Sequence, residues 1–319
     1  MAIRKPSKQQ FDSPGLFTEE MLGEEVTPAE APLGPLTVAD SDDAIRFISF
    51  GSGSSGNCSY VGDTKGGFLI DAGVDPLKVE QSLRGAGIDM TKVRGILLTH
   101  DHGDHVRYVY SLLRNHRHLL VYCTPKVMNG LLRRHSISRR IRDYHRAIYK
   151  EFEFKIGNFV VTPFEVSHDG SDNCGFYISH GTRSMAVATD LGCITERVRH
   201  YMSRVNFIVL ESNYDLEMLM TGSYPDYLKA RIVANQGHLD NQVSAGFVAE
   251  IWTPILSHVF LCHLSNDNNR PEKAFAAYCE AMKKTHPELT VGDGLRENLS
   301  DLQVIVLPRF DATPLFVLR

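Results

Sequence analysis

The sequence predicts an α/β protein in which two mixed β-sheets pack face to face with helices outside, an αββα sandwich. Three observations carry this. Short apolar runs of strand length recur from Ile45 almost to the end of the 319 residues. Several of these runs are separated by brief turns containing Gly or Asp, as hairpins are. Helix-patterned stretches fall between strand runs in both halves instead of after every strand, as a doubly wound parallel sheet would require.

In order, the strand runs are "IRFISF", "CSYVGD", "GFLIDAG", "RGILLTH" and "LLVYCTP". A helix is expected over Lys126–Arg134, followed by the strand runs "FVVTPFEVSH", "CGFYISH" and "RSMAVATD". A helix at Thr195–Met202 leads into "NFIVLESN", and further helices are expected at Pro225–Ala234, Asn241–Ile251 and Pro271–Lys284. The runs "HVFLCHL" and "LQVIVLP" supply the last strands. The glycine-rich "FGSGSSGNCSY" lacks the Lys-Ser/Thr ending of a P-loop and runs into a strand, not a helix. It reads either as a tight hairpin or as a loop whose Ser54, Ser55 and Asn57 approach a ligand closely.

Composition sets the setting. A hydrophobic fraction of 43% and a charged fraction of 23% are those of a soluble globular chain. No apolar stretch reaches the length of a membrane helix, and the opening "MAIRKPSKQQFDSPG" has no signal-like apolar core. A cytoplasmic location is expected. The scattered cysteines Cys58, Cys123, Cys174, Cys193, Cys262 and Cys279 form no CxxC pair and read as small core residues. Residues 1–44 carry nine acids against three bases, hold five of the 14 prolines and contain no histidine. They read as an acidic, loosely attached arm, with the working domain at 45–319.

The chemistry concentrates in "ILLTHDHGDH", residues 96–105. His100, His102, Asp104 and His105 follow a buried strand, and imidazole with carboxylate is a donor set suited to zinc, manganese or iron. His168, Asp190 and His263 end or nearly end later apolar runs. Each alone is weak; together they place donors at several strand termini. If His263 faces a cleft, strand alternation turns Cys262 into packing.

In these residues the chain resembles the metallo-β-lactamase-fold hydrolases: "THDHGDH" fits their HxHxDH signature, with His, Asp and His following in order over roughly residues 45–308. The resemblance implies two divalent metals, zinc or manganese. One would be held by His100, His102 and His168 and the other by Asp104, His105 and His263, with Asp190 between them. It also implies that Asp71 of "LIDAG" buttresses the histidine loop. Paired metals ready a water for attack on an ester, a chemistry open to β-lactams, thioesters, lactones and phosphodiesters alike.

"LESNYD" and "QGHLDNQ" narrow the choice, because Glu211 and His238 resemble the carboxylate–histidine pair of the nuclease branch. There Glu211 would keep His238 protonated as the acid for a poor leaving alkoxide. Asp104, Glu211 and His238 are thus the catalytic candidates. Together with "SGSSGN", "SHD", "ATDLG" and "HLSNDNNRPE", these motifs resemble the YycJ-like (WalJ-type) bacterial proteins, which implies a 5′ to 3′ DNA exonuclease. DNA is the expected partner ahead of RNA, and no membrane partner is expected. The basic run at 126–150 supplies Arg133, Arg134, Arg139 and Arg140 as phosphate-contact candidates, with Tyr144 and Tyr149 beside them.

Two other activities compete with this one. A thioester or lactone hydrolase of the glyoxalase II type would carry a "GHTPG"-like motif where this chain has "VSHDGSD". A non-catalytic metal-binding module that docks nucleic acid would be expected to have lost ligands, and here the set is complete.

Overall fold

The computed structural model describes residues 43–294 and 300–319. All but the last two residues of the acidic arm therefore lie outside the described residues. The first sheet contains β1 (Ile45–Gly51), β2 (Cys58–Asp63), β3 (Gly66–Ile70), β4 (Val93–Leu97), β5 (Leu120–Cys123) and β6 (His145–Ala147). The second contains β7 (Phe154–Ile156), β8 (Phe159–Glu165), β9 (Cys174–His180), β10 (Arg183–Ala188), β11 (Phe207–Glu211), β12 (His258–Cys262), β13 (Val291–Gly292) and β14 (Leu302–Val306). The last strand, β15 (Phe316–Leu318), returns to pair with β1 and closes the edge of the first sheet.

Each sheet is half meander and half parallel. β1, β2 and β3 pair antiparallel, and β3 through β6 pair parallel. In the second sheet β7 through β10 pair antiparallel, while β10, β11, β12 and β14 run parallel. This is the mixed sandwich the alternating signals predict. The glycine-rich segment is the loop of the β1–β2 hairpin.

Alternation along the strands builds the layers. On β11, Phe207 and Val209 face the opposite sheet, while Ile208 and Leu210 face the helices. On β12, Phe260 and Cys262 point inward, and Val259 and Leu261 outward. Strands covered on both faces are apolar throughout. Phe47, Phe68, Phe159, Phe176, Phe207 and Phe260 fill the layer between the sheets. Burying each such side chain contributes roughly 1.5–3 kcal/mol.

Helices cover the outside. α1 (Pro76–Gly85), α3 (Val109–Asn115) and α4 (Pro125–Arg134) pack on the first sheet through Val79, Leu83, Leu112, Leu113, Val127 and Leu131. Between α1 and α3 lies the single turn α2 (Gly103–Val106). α5 (Glu196–Met202), α8 (Asn241–Ile251) and α9 (Pro271–Thr285) pack on the second sheet through Val198, Met202, Val248, Ala274 and Tyr278. The short α6 (Leu216–Thr221) and α7 (Asp226–Val233) lie between α5 and α8 in sequence.

The helices expected from the sequence lie within a residue or two of those observed. α1, α2, α3 and α6 lie outside the expected set. The start signal of α1 is legible, since the Asp75 side chain caps the helix at Leu77 N and Pro76 takes its first position. In contrast, α3 and α6 are only seven and six residues long. Periodicity has little to show over so few turns. Among the described residues no helix is long and apolar enough to cross a membrane.

Register places the functional edge. Ala188 lies opposite Leu210, and Leu210 opposite Leu261. Residues just past those positions, namely Asp190, Glu211 and His263, therefore emerge side by side. In the first sheet, Leu69 opposite Ile96 brings the ends of β3 and β4 to the same level.

Candidate metal centre

The histidine loop is held from below by Asp71. Its backbone takes the left-handed conformation, with φ at 61°, and its amide donates to the Leu97 carbonyl at 2.8 Å. Its carboxylate accepts from the Thr99 amide at 2.9 Å and from the Thr99 hydroxyl, fixing the start of the loop. Asp71 Oδ2 also lies 2.7 Å from His105 Nδ1. That contact turns His105 Nε2 toward the site. α2 then winds Asp104 and His105 back over the end of the strand, with His102 at its N-terminal boundary.

The second sheet answers with single residues. His168 Nδ1 lies 2.9 Å from the Gly237 carbonyl oxygen, which leaves Nε2 free to face inward. His263 sits at φ 56° just past β12, where its amide donates to Ser52 Oγ at 2.9 Å. Cys262 is buried between the sheets, as alternation requires.

These residues form two adjoining groups of converging ligand atoms, His100–His102–His168 and Asp104–His105–Asp190–His263. Asp190 belongs to both by geometry. Its Oδ2 lies 3.9 Å from His100 Nε2 and 3.6 Å from His168 Nε2. Its Oδ1 lies 3.4 Å from His105 Nε2. One carboxylate thus turns an oxygen to each group.

The residues fit a divalent cation. Among the described residues, His100 Nε2, His263 Nε2 and Asp190 Oδ1 are buried without a hydrogen-bond partner. A folded protein tolerates such orphans only where something else satisfies them. The donors are nitrogen and oxygen, a borderline-to-hard set. Burial, reinforced by His105, holds the His100 imidazole well below its ordinary pKa, so it stays in the neutral form that ligates. Burial would push Asp190 up, but His263 and His105 outweigh it and keep the carboxylate ionised well below the usual range.

Beside the two groups stands a polar pair. Glu211, fully buried, accepts from the Leu191 amide at 2.8 Å and the Leu239 amide at 3.2 Å through Oε2. Its Oε1 lies 2.7 Å from His238 Nδ1 and 2.9 Å from His263 Nδ1. With Nδ1 engaged, His238 has only Nε2 to present. Burial opposes charge on this imidazole, and the Glu211 carboxylate overrides it and raises its pKa. His238, His168, Asp169, Asn213, Arg231 and Ser54 contribute to the walls of a cavity of about 270 Å³. Asp240 caps α8, accepting from the Gln242 and Val243 amides.

The other predicted contacts divide. Ser54 lines the cavity, while Ser55 faces a separate cleft and accepts from Arg107 through its carbonyl. Asn57 is buried and turned inward, bracing Asp104 Oδ2 at 3.2 Å and Gly53, so it is a strut of the ligand loop and not an open contact. Arg133 donates to Ser171 Oγ, and Arg134 Nε lies 3.4 Å from Asp101 Oδ2, which puts the end of α4 against the His100–His102 segment. Arg139 and Arg140 stand exposed in the turn beyond α4, and no contact ties them to the ligands.

Several supporting residues escaped the sequence reading. Asp101 is buried and joins the histidine loop to Ser171. Asp169 lies 3.3 Å from His102 Nε2 and 3.4 Å from His168 Nε2, and Arg231 of α7 grips its other oxygen at 2.7 Å. Asn213 donates to the His263 carbonyl, and Asn269 donates to the Ser212 and Asn213 carbonyls. The Asn-rich "LESNYD" and "HLSNDNN" were the available signal for the last two.

A family model described as a beta-lactamase superfamily domain matches residues 67–254. The chain is 33% identical over 241 residues to exodeoxyribonuclease YycJ of Bacillus anthracis, covering 75% of this chain and 90% of that one. It is 28% identical over 235 residues to exodeoxyribonuclease WalJ of Streptococcus pneumoniae, covering 73% and 87%. Among solved structures, the metallo-beta-lactamase fold protein YhfI from Bacillus subtilis aligns with a TM-score of 0.58 at 12% identity, over 84% of this chain and 99% of that one. Zn(2+)-bound PqqB from Methylobacterium extorquens aligns with a TM-score of 0.58 at 14% identity, over 84% and 99%. Both structural likenesses speak for the fold alone. The chain belongs to the beta-lactamase superfamily and, within it, to the YycJ-like group.

Proposed function

We propose that this protein is a metal-dependent phosphodiesterase that degrades DNA from its 5′ end. The observation that carries the reading is His238, tethered through Nδ1 to buried Glu211 and exposing its remaining nitrogen to a cavity shared with the ligand His168. A carboxylic or thioester substrate has little use for such an acid, whereas the alkoxide leaving a phosphodiester does. Two relatives are named exodeoxyribonucleases, in line with this choice.

Two divalent ions, zinc or manganese, would be held by His100, His102 and His168 and by Asp104, His105 and His263, with Asp190 between them. Bound there, they would supply Lewis acidity that activates water and neutralises charge on the phosphoryl oxygens. The chain's own side chains do the rest. Asp71 fixes the orientation of His105, and Glu211 steadies His263 and keeps the proton on His238. His238 Nε2 delivers that proton to the departing oxygen. Arg133 and Arg134, with Arg139 and Arg140 beyond them, offer a basic flank to the strand without reading its sequence. The cysteines are free thiols, which suits work in the reducing cytoplasm.

The test is direct. Single- and double-stranded DNA and RNA, labelled at either end, are incubated with protein loaded with manganese or zinc. Release of nucleotides from the 5′ end of DNA is expected. Hydrolysis of thioesters or lactones with no cleavage of any nucleic acid would overturn the proposal.

A further inference from the structure

A second cleft lies on the other side of the glycine-rich loop from the cavity at His238. Ser54 lines the one and Ser55 the other, so only the crest of this hairpin loop separates them. The floor of the second cleft packs directly on the ligand loop. A Cβ on Gly73 would fall 1.6 Å from the Asp104 carbonyl oxygen, and one on Gly56 would fall 2.3 Å from that of Gly73. The cleft, of about 190 Å³, is therefore one backbone layer from a metal ligand.

Its walls carry Lys78 from α1, Arg107 just after α2, and Arg309 and Phe310 from the segment after β14. All three cations are bonded to neutral groups. Lys78 Nζ donates to the Phe310 carbonyl, and Arg107 Nη1 to the Ser55 carbonyl at 3.2 Å. Arg309 donates to the Leu264 carbonyl at 2.6 Å and to Ser54 Oγ at 3.3 Å, and its Nε is buried with no partner among the described residues. Asp75 also lines the cleft, but its carboxylate caps α1 by accepting from the Leu77 amide. Asp267 and Asp104 act on Arg309 from farther off. Phe310 is 60% exposed, with the Arg309 guanidinium 5.5 Å from its ring centre. Cations held by neutral groups, with no carboxylate paired directly to them among the described residues, beside an exposed aromatic ring are what an unpaired nucleotide recognises, phosphate on charge and base on ring.

We infer that this cleft is a nucleotide subsite, in which Lys78, Arg107 and Arg309 hold a phosphate of the substrate strand next to the one being cleaved and Phe310 stacks on its base. The inference rests on the nuclease reading. It gives the strand a path across the metal centre, because α4 flanks the His100–His102 side and this cleft flanks the Asp104 side.

The experiment compares two substrates on metal-loaded protein. One is a single-stranded DNA, and the other is bis(p-nitrophenyl) phosphate, which has one phosphate and no neighbour to place in the cleft. Lys78→Gln and Arg107→Gln should each weaken DNA turnover by roughly 3- to 10-fold through KM. Each should also flatten the salt dependence of binding by about one unit in log–log slope. The loss on the small ester should be several-fold less. Arg107→Lys should restore the slope. Phe310→Ala should weaken DNA by roughly 5-fold or more while leaving the slope as in the unsubstituted protein. Lys284→Gln, on the far helix α9, should change neither substrate. Equal losses on both substrates, or an unaltered slope in the Lys78→Gln, Arg107→Gln double variant, would overturn the subsite. An unsubstituted protein that hydrolyses the ester but no DNA would overturn the nuclease reading instead.

Discussion

The two sheets of the sandwich build their halves of the candidate metal centre in opposite ways. The first sheet delivers four candidate ligands from one six-residue turn, His100 to His105, held from below by Asp71 and tied to Ser171 through Asp101. The second delivers His168, Asp190 and His263 one at a time, each from the end of a different strand. A contiguous turn places its ligands by local geometry, so it leaves no room for other chemistry between them. Ligands spread over parallel strands depend on register, and the strand between two of them is open for another task. β11, lying between β10 and β12, uses that opening for Glu211 and through it for His238. Metal retention should therefore lean on both halves, while proton delivery should belong to the second alone.

Asp190→Ala is the severest way to test this division, because that carboxylate turns one oxygen to each group. Activity should fall by more than about 10³-fold, beyond the 10²–10³ typical of losing one electrostatic stabiliser. Metal content after dialysis should fall with it. Full metal retention would mean that the halves bind independently.

His238→Ala should separate the two functions. Bound metal should remain near normal while DNA cleavage slows by about 10²–10⁴-fold. Bis(p-nitrophenyl) phosphate, whose leaving group needs no proton, should lose far less. Glu211→Gln is expected to slow DNA cleavage comparably and also to loosen metal, since Glu211 touches His263 as well as His238. Metal loss in His238→Ala would show that this imidazole is a ligand and not the acid.

What could be read from the sequence follows the same line. The first half was legible because its ligands are neighbours in the chain. The sandwich was legible because its strands are apolar runs punctuated by turns. His168, Asp190 and His263 were legible only in order, as donors at strand ends, and became a set through the family signature. Asp101, Asp169 and Arg231 were not legible. Asp101 looks like one more member of a charged turn, and only the folded chain shows it bonded to Ser171, some seventy residues on. Arg231 meets Asp169 across a comparable gap in sequence. Arg309 and Phe310 lie beyond the last motif, so nothing in their neighbourhood marks them. Long-range polar pairs of this kind have no period and no spacing by which a single sequence announces them.

β12 carries the contrast to its smallest scale, with His263 in the metal centre at one end and His258 at the other. His258 sits among apolar neighbours, its ring centre 5.8 Å from that of Phe207, with Ser257 Oγ 2.9 Å from its Nδ1. Burial alone pushes its pKa down to about 4. Above pH 6.5 the imidazole is neutral in both folded and unfolded chains, and stability is complete. As the pH falls from about 6.5 to about 4, the unfolded chain takes up a proton that the folded one refuses, so stability declines. At about 1.36 kcal/mol for each pH unit, this amounts to no more than about 3.4 kcal/mol, and less for a side chain only partly withdrawn from water. His258→Gln should therefore flatten the pH dependence of denaturant unfolding across that window without touching cleavage at neutral pH. The readout is the difference between the two proteins, which cancels the acid sensitivity of the metal ligands. If both lose stability in parallel, the half-buried histidine at this end is silent, and the pH response of the fold resides in the candidate metal centre at the other.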